Sequence, residues 1–260
     1  MIDAESGPME WSHDSWGNST LEGPIYVLLH GWGRSRADMR PLAERLACES
    51  GAYVMSFDIP GFGQSPPPSQ IGDSGDYADS LARHLAKQGM GPVIVIGHSL
   101  GGRIAIQLAA RHKGQVRGVV GLAAAGLKKP RSVIWRARAL GMKTLARLAR
   151  AADRCLGTQF KPLLAAHMGS SDYRAAEKMR PILVRILGED LSSVAPQVAC
   201  PALLIYGEHD TETPPEFGQR YARLMPHAML HILPHLDHLT ILSRGLSQTR
   251  PLILDFTHRL

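Results

Sequence analysis

The surroundings of Ser99 are those that a catalytic serine requires. Ser99 lies in a G-x-S-x-G motif, Gly97–Gly101, which follows the apolar run Val93–Ile96 and precedes a helical pattern at Leu100–Arg111. A serine on a tight strand-to-helix turn exposes its hydroxyl, and small residues two positions to either side let the chain pass closely. The following helix directs its positive end at the site. The motif alone often arises by chance in a glycine-rich turn, but in this context it predicts a nucleophile.

A second turn could hold the negative charge that develops when such a serine attacks a carbonyl. His30–Gly33 follows an earlier apolar run and reads His-Gly-Trp-Gly. Backbone N–H groups that point at the developing oxyanion stabilise it. We assign this role to the N–H groups of Trp32 and Leu100, although the motif by itself also fits a plain turn with Trp32 as packing.

A nucleophilic serine needs a base, and the base needs an orienting acid. Asp210 follows an apolar run, which places it at the carboxyl end of a strand, where α/β sites assemble. His238 comes after one further run. The order Ser99, Asp210, His238 is that of the α/β-hydrolases and differs from the order in trypsin and subtilisin. The same region contains one rival base and two rival acids: His235, Glu208 and Asp237.

With these motifs in this order, the chain resembles the α/β-hydrolase superfamily over nearly its whole length. The motifs that carry the resemblance are His30–Gly33, Asp58–Ser65, Gly97–Gly102, Gly207–Asp210 and Asp237–His238. The resemblance implies Ser99 as nucleophile, His238 as general base and Asp210 as orienting acid, with a lid inserted after the sixth strand. The chain departs from the family pattern around the base, where Asp237 replaces the usual glycine and Arg244 stands where an acid is common.

Apolar and amphipathic stretches alternate from Ile25 onward, which predicts a mostly parallel sheet flanked by helices, an α/β fold. Six apolar runs are predicted strands, buried on both faces: Ile25–Leu29, Tyr53–Phe57, Val93–Ile96, Val116–Leu122, Leu203–Tyr206 and Met229–Leu233. Five stretches are predicted helices: Met39–Glu49, Tyr77–Gln88, Leu100–Arg111, Phe217–Leu224 and Ser247–Arg259. The hairpin expected between residues 9 and 23 is weakly marked, so its strands should be short.

The alternation stops between residues 127 and 196, a stretch of some 70 residues without a convincing strand and too long for an ordinary connection. We interpret 127–196 as a helical lid inserted into a core formed by 1–126 and 197–260. Its second half has apolar residues at helical spacing: Met179, Ile182, Leu183, Ile186 and Leu187. Pro181 should start or kink that helix. Its first half has apolar positions on one face and basic positions on another.

The basic residues of the lid account for the positive charge of the chain. The 260 residues have a formal net charge of +6, yet nine basic residues and one acidic residue lie between Lys128 and Arg154. The rest of the chain is near neutral, which argues against nucleic-acid binding. Five of the basic residues are expected to contact the substrate or a partner: Arg136, Lys143, Arg147, Arg150 and Arg154.

Other features of the sequence indicate the cellular compartment and the state of the cysteines. The longest apolar uncharged run, Gly118–Leu127, has ten residues against the roughly 20 that cross a bilayer, so no membrane span is expected. Met1–Trp16 has no apolar signal region, and we expect a cytoplasmic protein. Cys48, Cys155 and Cys200 are widely spaced and are expected to be reduced core thiols.

Four histidines near the carboxyl end are spaced by four, four and three residues, which on a helix would suggest a metal face. They are His227, His231, His235 and His238. Pro226 and Pro234 bracket a strand-like run in this region, so the helical spacing loses its meaning. We expect neither a metal nor a cofactor.

Epoxide hydrolases and haloalkane dehalogenases of the superfamily need Asp at the position of Ser99, so these two activities are excluded. Hydrolysis by acyl transfer remains as the expected reaction. The leading interpretation is a carboxylesterase or thioesterase acting through an acyl-enzyme. The alternatives are a carbon–carbon bond hydrolase of the meta-cleavage product type, with the same three residues, and a non-catalytic ligand-binding protein on the same fold.

The expected substrate is a small-molecule acyl ester or thioester. The basic lid is the only feature that indicates the substrate class more closely. It could receive an anionic or carrier-linked substrate, such as an acyl-carrier protein or a coenzyme A thioester. It could instead rest on anionic lipid as a peripheral contact, or be a solvated helix face. His30–Gly33 and Pro60–Ser65 resemble the corresponding turns of carboxylesterases that act on pimeloyl-carrier methyl esters, whereas the lid sequence shows no such match.

Overall fold

A computed structural model of the chain describes residues 9–18, 23–129 and 176–260. In these residues seven strands form one sheet in the order β1-β3-β2-β4-β5-β6-β7, with β1 antiparallel to β3 and every other pair parallel. The strands are β1 His13–Trp16, β2 Ile25–Leu29, β3 Tyr53–Phe57, β4 Val93–His98, β5 Val116–Leu122, β6 Ala202–Gly207 and β7 Ala228–Leu233. The helices are α1 Arg40–Ser50, α2 Ser74–Lys87, α3 Leu100–Arg111, α4 Arg180–Gly188, α5 Pro215–Leu224 and α6 Leu246–His258.

The predicted α/β architecture is confirmed, and most boundaries agree within one or two residues. The largest difference is at α2, which begins at Ser74 rather than Tyr77 because Asp73 caps it. The Asp73 side chain accepts hydrogen bonds from the N–H groups of Gly75 and Asp76, while Asp76 accepts one from the Asp73 N–H. This reciprocal cap satisfies backbone donors that a helix end otherwise leaves free.

Two apolar layers hold the helices against the sheet. Alternate β2 side chains point to opposite faces, so that Val27 and Leu29 join the layer under α2, α3 and α5, while Tyr26 and Leu28 join the layer under α1 and α6. The central strands are buried on both faces, which explains their apolar runs.

Two expectations about burial are wrong. β7 is an edge strand rather than one buried on both faces, and its Met229 side chain is 41% exposed. Cys48 is exposed on α1 and Cys200 is half-buried, so neither is a thiol of the fully buried core, while Cys155 lies outside the described residues. Leu187 is exposed on α4, because it lies outside the helix face that buries Ile182 and Ile186.

Of the predicted lid, the structure describes residues 127–129 and 176–196, so its extent stays a prediction. The second-half helix is present as α4, and Pro181 lies in its first turn. An ion pair joins the end of this helix to α3: Arg103 Nη1 lies 2.8 Å from Glu189 Oε2 and also donates to the carbonyl of Ile186. Ser74, at the start of α2, donates to Glu189 through its N–H and its hydroxyl. These contacts hold the end of α4 against α2 and α3.

In the parts of the chain that the structure describes, no helix combines the length and the hydropathy that crossing a membrane requires.

Candidate active site

The carboxyl ends of neighbouring strands bring the predicted site residues to one edge of the sheet. His30 follows β2, Ser99 follows β4, Asp210 follows β6 and His238 follows β7. These strands lie in the order β2-β4-β5-β6-β7, and chain order reverses on either side of β2. Such reversals are where ligand sites form in open α/β sheets.

Ser99 occupies a strained turn between β4 and α3, with a φ of 51° in the left-handed region. Close backbone contacts explain the two glycines of the motif. A Cβ on Gly97 would lie 2.2 Å from the carbonyl oxygen of Gly101, and one on Gly101 would lie 2.2 Å from that of Leu29. The chain therefore passes only without side chains at these positions, as the sequence predicted.

The turn after β2 packs directly on this elbow. A Cβ on Gly31 would lie 2.9 Å from His98 Nδ1 and 3.4 Å from Ser99 Cβ. Trp32 follows Gly31 in the same turn, and Leu100 is the first residue of α3, whose N–H has no acceptor within the helix. Both predicted oxyanion donors thus lie in the turns that border Ser99, and their role stays a prediction.

His238 and Asp210 form a buried pair. His238 Nδ1 lies 2.8 Å from Asp210 Oδ2, and the two residues are 6% and 2% exposed. Asp210 Oδ1 accepts the N–H groups of Glu212 and Thr213, both at 2.8 Å. Burial raises the pKa of Asp210, but the hydrogen bonds from His238 and Thr213 outweigh it and hold that pKa below its ordinary value. An ionised Asp210 keeps the His238 proton on Nδ1 and leaves Nε2 free to accept one.

Thr213 is a site residue that sequence reasoning missed. Its hydroxyl lies 2.8 Å from Asp210 Oδ2, 3.1 Å from His238 Nδ1 and 3.0 Å from the carbonyl oxygen of Ala123. It therefore links Asp210, His238 and the end of β5. The local signal is a threonine three residues after an aspartate, a pairing typical of side chain-to-backbone turns.

His98, beside Ser99, fixes the backbone of His238. Its Nε2 lies 2.8 Å from the carbonyl oxygen of His238, so Nε2 carries the proton and donates it. Within the described residues its Nδ1 has no hydrogen-bond partner. Burial lowers the pKa of His98 to about 3, and the nearby His238 imidazole acts in the same direction. His98 is therefore a neutral group throughout the physiological range.

Glu212 is a second residue that the sequence did not single out. Its Oε2 lies 3.5 Å from His238 Nε2, the nitrogen that faces away from Asp210. The Glu212 side chain is 64% exposed and has room to turn aside. Nothing in the local sequence distinguishes this glutamate from an ordinary loop residue.

The rival bases and acids lie elsewhere. Glu208 and His235 are exposed, and the His235 N–H donates to Glu208 Oε2 at 3.1 Å. Asp237 is also exposed and accepts hydrogen bonds from the N–H groups of Leu239 and Thr240. Of the three carboxylates considered, only Asp210 pairs with His238.

Other predicted site residues fall differently. The four histidines lie in β7 and in the loops on either side of it, so they do not form a helical face. Five predicted lid contacts lie outside the described residues: Arg136, Lys143, Arg147, Arg150 and Arg154.

Comparisons with known proteins agree with the observed α/β fold. A sequence profile of the alpha/beta hydrolase family matches residues 26–248. The pimeloyl-[acyl-carrier protein] methyl ester esterase of Chromobacterium violaceum is 31% identical over 237 residues, covering 85% of this chain and 90% of its own. The protein of the same name from Shewanella woodyi is 30% identical over 244 residues, with the same coverages.

Among solved structures, the enol-lactonase of Burkholderia xenovorans aligns with a TM-score of 0.72 at 21% identity, covering 98% of this chain and 99% of its own. A thermophilic esterase of Thermogutta terrifontis aligns with a TM-score of 0.68 at 22% identity, covering 96% and 94%. At these identities the two structures establish a shared fold.

Proposed function

Because the chain belongs to the alpha/beta hydrolase family, we propose that it hydrolyses carboxylic esters with Ser99 as nucleophile, His238 as general base and Asp210 as orienting acid. The observation that carries the proposal is the 2.8 Å contact between His238 Nδ1 and Asp210 Oδ2, at the strand edge where Ser99 lies in its strained turn. The combination places an oriented base at the same edge as the hydroxyl of a half-buried serine.

The reaction proceeds in two acyl transfers. His238 Nε2 takes the Ser99 proton as Oγ attacks the ester carbonyl, and the N–H groups of Trp32 and Leu100 hold the oxyanion. The imidazolium then gives that proton to the leaving alcohol, and the acyl-enzyme forms. Water enters next: His238 takes its proton, the hydroxide attacks the acyl carbon, and the acid leaves as Ser99 recovers its proton. Before the first step, Glu212 turns away from His238 Nε2.

For the substrate, we propose an ester carried on an acidic protein. The support comes from the names of the two relatives, which act on an acyl-carrier ester, and from the basic residues of the insertion. The described start of that insertion presents two exposed lysines, Lys128 and Lys129. Lys129 Nζ donates to the carbonyl of Thr211, next to the catalytic acid, at 2.6 Å. A cationic rim beside the site favours an acidic carrier through long-range attraction.

The catalytic assignment is tested by labelling with a fluorophosphonate probe, located by peptide mass spectrometry. We expect the label on Ser99, its loss in Ser99→Ala, and strongly slowed labelling in His238→Gln and Asp210→Asn. His231→Gln, which changes an exposed histidine of β7, is the matched control and should label normally. A folded protein that takes no label would contradict the assignment.

The substrate class is tested by comparing a methyl ester on acyl-carrier protein with a small neutral ester at rising salt. Rising salt should lower kcat/KM for the carrier ester only, because salt screens the attraction between the basic residues of this chain and the acidic carrier. Arg147→Gln with Arg150→Gln should reproduce this loss, while Arg83→Gln on α2 should not. An equal salt response on both esters would end the carrier proposal. Turnover of a vinylogous diketone without any ester turnover would instead identify a carbon–carbon bond hydrolase.

A further inference from the structure

Glu208, His209 and His235 form a compact exposed cluster on the loops that follow β6 and β7. One ligand atom from each residue lies within 4.8 Å of the other two. Glu208 Oε2 lies 3.7 Å from His209 Nε2, and the two imidazole rings are 5.8 Å apart between centroids. We propose that this cluster is a binding site for a divalent transition-metal ion of the zinc type, separate from the ester hydrolysis proposed above.

The chemistry of the three ligands selects the ion. Two imidazole nitrogens and one carboxylate oxygen are a set that Zn²⁺ binds, with one position left for water. Bonds of about 2.0 to 2.2 Å place tetrahedral ligand atoms about 3.4 Å apart, so the cluster needs only small rotations of exposed side chains to close. Mg²⁺ and Ca²⁺ prefer oxygen ligands and fit this set poorly.

The backbone holds the ligands in place before any ion binds. The N–H of Glu208 donates to the carbonyl of Leu233 at 2.9 Å, and that of His209 donates to the carbonyl of Leu236 at 2.8 Å. These bonds join the loop after β6 to the end of β7 and to the loop that follows it. The backbone of His235 is in the left-handed region, with a φ of 58°. In this conformation its N–H donates to Glu208 Oε2, which keeps the two residues next to each other. A ligand set carried on two joined loops loses less entropy on binding.

The histidine spacing alone predicts no metal site, because that spacing brings ligands together only on a helix. The cluster uses one residue of that run, His235, and two from a distant loop, so only the fold brings it together. A bound ion would link the segment next to Asp210 with the segment leading to His238. We therefore expect binding to stabilise the folded chain.

The proposal is tested by calorimetric titration of chelator-treated protein with ZnCl₂, in a Cys48→Ser background that removes the exposed thiol. We expect one equivalent to bind, and at least tenfold weaker binding in His235→Ala and in Glu208→Gln. His231→Ala, an exposed histidine outside the cluster, should bind as the parent does. At a hundredfold excess over Kd the melting temperature should rise by about 5 °C in the parent and not in the two cluster variants.

Two further readouts make the result decisive. Co²⁺ in place of Zn²⁺ should give the intense visible absorption of a four-coordinate site, and this band should be lost in His235→Ala. Ser99→Ala should bind the ion unchanged, so the metal result is independent of whether the chain hydrolyses esters. Equal affinity in His235→Ala and the parent, or equal loss in His231→Ala, would overturn the proposal.

Discussion

His98 lies buried beneath the candidate active site, where a positive charge on its imidazole is costly. The change we consider is His98→Gln, since glutamine keeps an N–H donor for the carbonyl of His238 but does not titrate. In the folded protein burial holds the pKa of His98 at about 3, against 6.5 for an ordinary histidine. The variant therefore removes one group that folding forces to stay neutral.

The size of the effect follows from this difference. Well above pH 6.5 His98 is neutral in both the folded and the unfolded state. Its protonation therefore does not affect the free energy of unfolding in that range. As the pH falls towards 3, the unfolded chain binds a proton that the folded protein does not, so stability is lost with acidification. At pH 5 this amounts to about 2 kcal/mol relative to pH 8.

The assay is urea unfolding at pH 8 and pH 5, followed by tryptophan fluorescence, for the parent, His98→Gln and the exposed control His231→Gln. Burial also lowers the pKa of His30, so the parent should lose stability through more than one histidine. The loss between the two pH values should be about 2 kcal/mol smaller in His98→Gln than in the parent, and unchanged in the control. An identical loss in parent and His98→Gln would refute the assignment of His98 as a buried neutral group.

Thr213→Val should lower kcat about tenfold, because it removes a hydroxyl that bonds a buried carboxylate, while Thr213→Ser should retain most activity; equal rates for both would contradict this. Gly101→Ala should destabilise the fold by about 3 kcal/mol or more in urea unfolding, because its Cβ would lie 2.2 Å from a backbone oxygen, whereas Gly114→Ala meets nothing within 4 Å and should be near neutral. Glu189→Gln should cost roughly 3 kcal/mol, because it leaves the buried guanidinium of Arg103 without its charge partner. An unchanged unfolding midpoint in Glu189→Gln would show that this ion pair, the clamp between Arg103 and Glu189, does not stabilise the fold.

The strands and helices were predictable because their signals are local. β2, β3, β5 and α3 have the predicted bounds, since continuous apolar runs and helical periodicity depend only on neighbouring residues. The glycines of the Ser99 turn were predictable for the same reason, because close passage of the chain requires them. The start of α2 was missed although its signal is also local, in the reciprocal pair of Asp73 and Asp76.

The edge position of β7 was not predictable from its run of apolar residues, because strand order is decided by how distant segments pair. The same holds for the clamp between Arg103 and Glu189, whose partners are 86 residues apart. A charged residue on a helix reads as solvent-exposed until the fold supplies a partner and excludes water.

The sequence by itself determined that a serine on a strained turn, an acid after β6 and a histidine after β7 would meet at one edge of a parallel sheet, because the carboxyl ends of parallel strands share that edge. Tertiary structure decided which carboxylate serves the histidine. Glu208 and Asp210 are two residues apart in one loop, yet Asp210 is 2% exposed and pairs with His238, while Glu208 faces solvent beside His209 and His235. The direction of a loop side chain depends on contacts with distant segments, and these exist only once the chain has folded.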